Sequence, residues 1–260
     1  MNPSIFLTAE WRYLVMLNFV VDRDVLQPLV PHGTELDWFH DRTFLSVVGF
    51  RFTRTRICGV PIPLHTDFDE VNLRFYVRRR TDAGWRRGVV FVRELVPRRA
   101  IAFIARAVYH EPYTALPMRH RVEHTSSGIR VEYAWRRFNR WESVSAAATG
   151  QARSIETGSE EEFITEHYWG HTARSGGCHE YQVEHPRWRV WNATEAALEA
   201  DISSLYGARF LDSLSANPTS AFVADGSPIA VHCKSTLRPE TELGMGRSER
   251  AAPRGLYIVR

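Results

Sequence analysis

Residues 67–78, DFDEVNLRFYVR, alternate with a period of two along their whole length. Val71, Leu73, Phe75 and Val77 fall on one face, and Phe68, Glu70, Asn72, Arg74 and Tyr76 on the other. A strand with one wholly apolar face must be covered on that side. Its charged face either meets solvent or lines a cavity inside a curved sheet, and both readings stand on pattern alone. The preceding TFLSVVGFRFTRT carries Phe44, Val48, Phe50 and Phe52 on one side and Leu45, Val47 and Gly49 on the other. Apolar on both faces for most of its length, it belongs at the centre of a sheet covered twice. GVVFVREL has the same character.

The rest of the chain fills in around these strands. Trp11, Tyr13, Val15, Leu17 and Phe19 alternate within a strand over 6–20. Asp22 caps a short helix ending near Pro31, and ELDWF, HDR and TFLS read as a hairpin. PRRAIAFIARAVYHEPY reads as a helix stopped by Pro112. Strands are expected at 117–124, 129–138 and 143–149 and on either side of Gly176-Gly177. SEEEFITEHYW opens with a capping box, Ser159 with Glu162, and should turn Phe163, Ile164 and His167 inward. TEAALEADISSLYG has helical character, and AFVADGSPIAVHC reads as a hairpin about Asp225-Gly226. The expectation is a strand-dominated α+β domain over 1–237 with antiparallel hairpins, followed by a fraying tail at 238–260.

Composition narrows the classes. In 260 residues, 44% are hydrophobic and 24% charged, which excludes long disorder or coiled coil for the bulk of the chain. The 33 basic and 30 acidic residues leave only +3, too little for a polyanion-binding protein, so no nucleic-acid partner is expected. Cys58, Cys178 and Cys233 are far apart, against a disulfide framework or a cysteine-rich zinc site. MNPSIFLTAEWRY lacks a signal-peptide pattern, and no apolar run reaches the ~18 residues of a membrane helix. A cytoplasmic protein without a membrane partner is the expectation. Lys234 is the only lysine, so amine chemistry has one side-chain candidate.

Chemistry-bearing residues concentrate in two places. Glu70, Asn72 and Arg74 share the polar face of their strand. Arg106 follows the apolar run AIAFIA and, if buried, needs a carboxylate or an anionic ligand. Tyr109, His110 and Tyr113 lie within two turns of it, as pocket groups or as core aromatics with satisfied hydroxyls. Farther on, His167, His171, Cys178, His179 and His185 invite a metal reading, but Gly170 interrupts the helix that would align the first two, so no metal is expected. Glu166-His167 as an acid/base pair is the alternative there. No GxGxxG, GxxxxGK[ST], GxSxG or HExxH occurs.

FLTAEWRYLVMLNFVVDRDVLQPLVPHGTELDWFHDRTFLSVVGF, EVNLRFYV, GVVFVREL, IARAVYHEPYTALPM, FITEHYWGHTARSGG, YQVEHPRW and SAFVADGSPIAV together resemble the YqjF-like family of uncharacterised bacterial proteins, domain of unknown function 2071, across roughly residues 5–232. That family is similar to the acetoacetate decarboxylase-like superfamily. The resemblance implies a strongly curved antiparallel sheet, closed or nearly so, around a central pocket. Laid on this chain, the decarboxylases' strand glutamate falls on Glu70, the arginine of their Gly-Arg-Glu motif on Arg106, and their Pro-Lys dipeptide on Pro112-Tyr113. Ala105 and Ala107 replace the glycine and glutamate about Arg106, and a tyrosine stands at the Schiff-base lysine position.

Tyrosine cannot form an imine, so decarboxylation through a Schiff base is not expected. Glu70, Arg106 and Tyr113 are the candidate catalytic residues, and Asn72, Arg74, Tyr109 and His110 the candidate ligand-binding ones. Arg106 is expected to be largely buried and paired with Glu70. Two classes stand open: a lysine-independent enzyme acting on a small oxo acid or enolisable anion, and a non-catalytic binder or sensor. No cofactor is implied, and a homo-oligomer is left open.

Overall fold

The computed structural model describes residues 4–237, less the side chains of Ile104, Ala105, Arg106 and Tyr109. The expected tail at 238–260 lies outside the described residues. Sixteen strands run in chain order as β1 (Ile5–Val21), β2 (Glu35–Leu36), β3 (Thr43–Ile57), β4 (Val60–Pro61), β5 (Phe68–Thr81), β6 (Gly84–Val96), β7 (Tyr113–Ala115), β8 (Met118–Thr125), β9 (Gly128–Arg137), β10 (Arg140–Thr149), β11 (Arg153–Ser154), β12 (Trp169–Arg174), β13 (Gly177–Glu184), β14 (Arg189–Glu199), β15 (Ser220–His232) and β16 (Ser235–Leu237). The helices are short: α1 (Arg23–Leu26), α2 (Arg99–Tyr109), α3 (Glu160–Thr165), α4 (Ile202–Leu205) and α5 (Leu211–Ser215).

Neighbouring strands follow the order β16-β13-β12-β6-β5-β3-β1-β15-β14-β10-β9-β8, and β13 also pairs with β15. That extra pairing closes β13, β12, β6, β5, β3, β1 and β15 into a circuit. The β12–β6 and β6–β7 contacts are parallel, and the other ladders are antiparallel. Strands β14, β10, β9 and β8 continue from β15 into a wing against the outside of the circuit.

The alternation of β5 sorts its residues as the sequence requires. Val71, Leu73, Phe75 and Val77 join Val15, Leu45, Val47, Val131, Tyr133, Trp135 and Val144 in an outer core between circuit and wing. Phe44, Val48, Phe50, Phe52, Phe68 and Tyr76 face inward, in a second cluster with Trp188, Phe163 and Ile164. β3 is therefore covered on both faces, as its sequence demanded.

Four local expectations are corrected. TEAALE is not helical; it lies in β14, where Ala196 and Ala197 pair with Ala146 and Ser145 of β10. Edge-to-edge pairing of small residues overrides the helix propensity of Ala, Glu and Leu. AFVADGSPIAVH is one continuous strand rather than a hairpin. Gly226 has φ +80° to the nearest ten, and a Cβ there would lie 2.0 Å from the carbonyl oxygen of Trp11. The glycine thus serves a kink and a close strand approach, not a turn. ELDWF forms no hairpin ladder with TFLS: β2 pairs with β5, and only Phe39 bridges back to Arg42. Asp37 donates its backbone N–H to the Tyr76 carbonyl at 2.9 Å, which holds this segment against β5. Finally, α3 ends at Thr165, so His167 lies beyond the helix, although it is buried as expected. Asp22 and Ser159 do cap their helices, accepting from the N–H groups of Asp24 and Glu162.

Candidate active site

Inside the circuit lies a cavity of about 170 Å³. Its walls are largely apolar, with Trp11, Phe50, Phe52, Phe68, Phe91 and Trp188 among the aromatic residues that line it. Trp11 packs edge-on to Phe50, ring centroids 5.3 Å apart. His185 stacks on Trp188 at 4.4 Å.

Against this apolar wall stand three carboxyl groups from three consecutive segments. Glu70 projects from the inward face of β5, and Glu94 from β6, where it pairs directly opposite Asn72. Glu111 precedes Pro112 at the end of the α2 connection. The parallel β6–β7 contact then sets Tyr113 beside Glu94, with the Glu94 N–H bonded to the Pro112 carbonyl at 3.2 Å. All three glutamates are buried.

The hydrogen bonds link the cluster without satisfying it. Tyr113 donates its hydroxyl to Glu70 Oε2 at 3.1 Å, and Asn72 Nδ2 donates to Glu70 Oε1 at 3.1 Å. Tyr181 donates to Glu111 Oε1 in a short bond. Gly170 makes this contact possible, because a Cβ at that position would overlap the Tyr181 ring. Glu94 Oε2 and Asn72 Oδ1 are buried with no hydrogen-bond partner.

Three carboxyls in so dry a place cannot all ionise. Burial pushes Glu70 up to about 7, against hydrogen bonds from Asn72 and Tyr113 and the nearby charge of Arg74. Burial likewise raises Glu111 to about 8, opposed by the Tyr181 hydroxyl and reinforced by Glu70. Glu94 is held well above the ordinary carboxyl value by burial and then by the charges of Glu111 and Glu70. Burial and the same three carboxylates raise Tyr113, so its hydroxyl stays protonated and donates. Burial thus favours the protonated carboxyls of this cluster near neutral pH.

A second polar group lies farther along the same strand face. Arg74 lines the cavity, donates Nη2 to the Ile164 carbonyl at 3.3 Å, and leaves Nε unpartnered. Among the described residues no carboxylate lies within ion-pair distance of it. His167 also lines the cavity, its Nε2 3.2 Å from Asp37 Oδ2 and its Nδ1 without a partner. Burial holds His167 down at about 4, so it is neutral. Burial disfavours the Asp37 charge too, but bonds from His167 and from Arg87 at 2.7 Å outweigh it and leave Asp37 at about 2. Glu166 does not pair with His167; it accepts from Thr165 and Tyr168 instead.

Of the candidate catalytic and ligand-binding residues, the structure brings Glu70, Asn72, Arg74 and Tyr113 to one cavity, which His167 and His185 also line. Arg106 and Tyr109 lie on α2, but their side chains, and with them the expected Arg106–Glu70 pair, are outside the described residues. His110 is exposed and does not line the cavity; its ring lies 5.1 Å from that of His179. Lys234, the chain's only lysine, is also absent from the lining, and its Nζ donates to the Val108 carbonyl at the end of α2. Among the described residues no group of three or more His, Cys, Asp or Glu side chains has an arrangement that could hold a metal ion, and no helix is long and apolar enough to cross a membrane.

Sequence reasoning missed Glu94, Glu111 and Tyr181. The signal for Glu94 was present: a lone carboxylate ending a strand that is apolar on both faces. Glu111 adjoins the Pro112-Tyr113 dipeptide but has no partner in its neighbourhood of the sequence.

The model of the family described as an uncharacterized conserved protein, domain of unknown function 2071, matches residues 8–228. The chain belongs to this family. Its relative in Bacillus subtilis (strain 168), the uncharacterized protein YqjF, is 27% identical over 202 residues, 74% of this chain and 76% of that one. The enduracididine biosynthesis enzyme MppR, solved with the condensation product of pyruvate and imidazole 4-carboxaldehyde, superposes with a TM-score of 0.67 at 11% identity, over 93% of this chain and 92% of its own. An acetoacetate decarboxylase-like enzyme from Sphingomonas wittichii RW1 superposes with a TM-score of 0.63 at 14% identity, over 90% and 94%. The fold of the family member described here is therefore acetoacetate decarboxylase-like, a strand-dominated curved sheet with few short helices.

Proposed function

We propose that the cavity binds a small carbonyl compound, an oxo acid or a related enolisable molecule, and moves a proton at the carbon beside its carbonyl without forming an imine. The observation that carries this reading is the buried Glu70–Glu94–Glu111 cluster, set against aromatic walls, with Tyr113 donating into it. One carboxylate takes the proton from the carbon. A carboxylic acid or the Tyr113 hydroxyl donates a hydrogen bond to the carbonyl oxygen as negative charge develops there. The enol then regains a proton from the same cluster. Carboxyls held near neutrality suit both directions of this exchange. The absence of lysine from the cavity and Tyr113 beside Glu94 support a route without a Schiff base. MppR, solved with a pyruvate-derived product, supports oxo compounds as the class to try first.

A non-catalytic binder with the same pocket is the alternative. The Glu70 and Glu111 carboxyls, raised by burial to about 7 and about 8, favour the enzyme, because groups poised near neutrality suit proton transfer and are not needed for binding alone. The test is hydrogen–deuterium exchange beside the carbonyl of 4-oxopentanoate in heavy water, followed by proton NMR. Wild type should accelerate exchange, and Glu94→Gln should slow it at least about a hundredfold. Exchange no faster than buffer, with binding retained, would leave the binder reading in its place.

A further inference from the structure

The order of side chains along β5 bears on which molecule fits, resting on the reading of the cavity as a carbonyl site. Along the part of its inward face that lines the cavity stand, in order, Phe68, Glu70, Asn72 and Arg74, opposite Phe52, Phe50, Val48 and Ser46 of β3. Phe68 and Phe52 stack at 4.6 Å and continue into Ile57 and Ile62, which also line the cavity. The carboxyl cluster therefore sits in the middle, with an apolar compartment on one side and an arginine without a carboxylate partner on the other. The Cα atoms of Glu70 and Arg74, four residues apart, are separated by roughly 13 Å.

We infer that Arg74 is an anion subsite, and that the molecule has three parts in sequence: a carboxylate at Arg74, a carbonyl at the carboxyl cluster, and an apolar group beyond it against Phe52 and Phe68. Arg74 suits the role physically. A part-buried guanidinium whose Nε bonds to nothing and whose Nη2 reaches only a backbone carbonyl retains donors for a carboxylate. Asn72, between the two, bonds Glu70 with its nitrogen and leaves its oxygen to accept. A cavity of about 170 Å³ takes a benzene ring with a short chain, since one of roughly 150 Å³ already holds benzene. A short oxo acid such as pyruvate cannot reach both Arg74 and the apolar end. This differs from an arrangement in which an arginine of α2 holds the anion, because it puts the anion near the middle of β5, beyond Glu70 and Asn72.

Calorimetric titration with 4-oxo-4-phenylbutanoate, its methyl ester and pyruvate tests this. Wild type should bind the acid at least about tenfold tighter than the ester, and both tighter than pyruvate. In Arg74→Gln the acid-to-ester preference should fall to about one, whereas Arg74→Lys should keep part of it. Thermal melts confirm that each variant is folded before its ratio is read. Equal binding of acid and ester by wild type, an undiminished preference in Arg74→Gln, or pyruvate as the tightest ligand would each overturn the subsite. Binding is read separately from deuterium exchange, so an Arg74-dependent preference without exchange would retire the enzyme reading and leave the anion subsite standing.

Discussion

The two faces of β5 are built from the same alternating segment and do opposite things. Outward, Val71, Leu73, Phe75 and Val77 enter a largely apolar core closed by the wing of β8, β9, β10 and β14. Inward, Glu70, Asn72 and Arg74 line a cavity whose polar atoms are partly unpaired. The outer face is where stability is gained, through close packing of apolar side chains. The inner face gives some of that up, because buried carboxyls without full partners cost free energy, which is the usual character of a functional site.

The largest effect should come from breaking the outer face. Leu73 is fully buried, and Leu73→Ala should cost about 2–5 kcal/mol in urea denaturation. Asn72→Ala, one residue away on the cavity face, should cost less than about half as much. Equal costs would mean that the inner face is ordinary core.

A smaller effect sharpens the contrast through pH. Folded Glu70 and Glu111 hold their protons up to about 7 and 8, while unfolded they release them near 4.5. Unfolding therefore releases protons in that window, and this contribution to stability is present at low pH and lost as pH rises from about 4.5 to 8. Glu111→Gln mimics the protonated form and should be more stable than wild type at pH 9 by at least about 1 kcal/mol, with the gap narrowing toward pH 5. A variant uniformly less stable at both pH values would contradict the assignment. On the acid side His167, depressed from 6.5 to about 4, contributes stability that is present above 6.5 and lost as pH falls toward 4. His167→Gln should flatten that limb in a series of thermal melts.

The smallest effect belongs to neither face. Arg130 and Glu195 pair at 3.0 Å across the exposed side of the wing. Arg130→Ala should change stability by less than about 0.5 kcal/mol. A larger loss in denaturation would show the wing to be held from its surface as well as from its core.

What the sequence made legible follows the same division. The alternation of 67–78 and the two-faced apolarity of TFLSVVGFRFTRT separate inner from outer face before any contact is known, because side-chain direction in a strand is local. The acid cluster is not local. Glu94 and Glu111 meet Glu70 only through the β5–β6 ladder and the parallel β6–β7 contact, and neither register can be read from one segment. Gly226 misled for a related reason. A glycine of positive φ looks the same in sequence whether it makes a turn or, as here, lets β15 pass under the Trp11 carbonyl. The alanine-rich β14 failed because its strand form depends on its partner β10 rather than on its own propensity.

A cavity that holds carboxyl protons at neutral pH has a spectroscopic signature of its own. Infrared difference spectroscopy reads this directly, comparing wild type with Glu94→Gln and Glu111→Gln at pH 7. Wild type should show a carbonyl stretch of protonated carboxylic acid that shifts in heavy water and weakens in each variant. Spectra showing only carboxylate bands for these residues at pH 7 would contradict it.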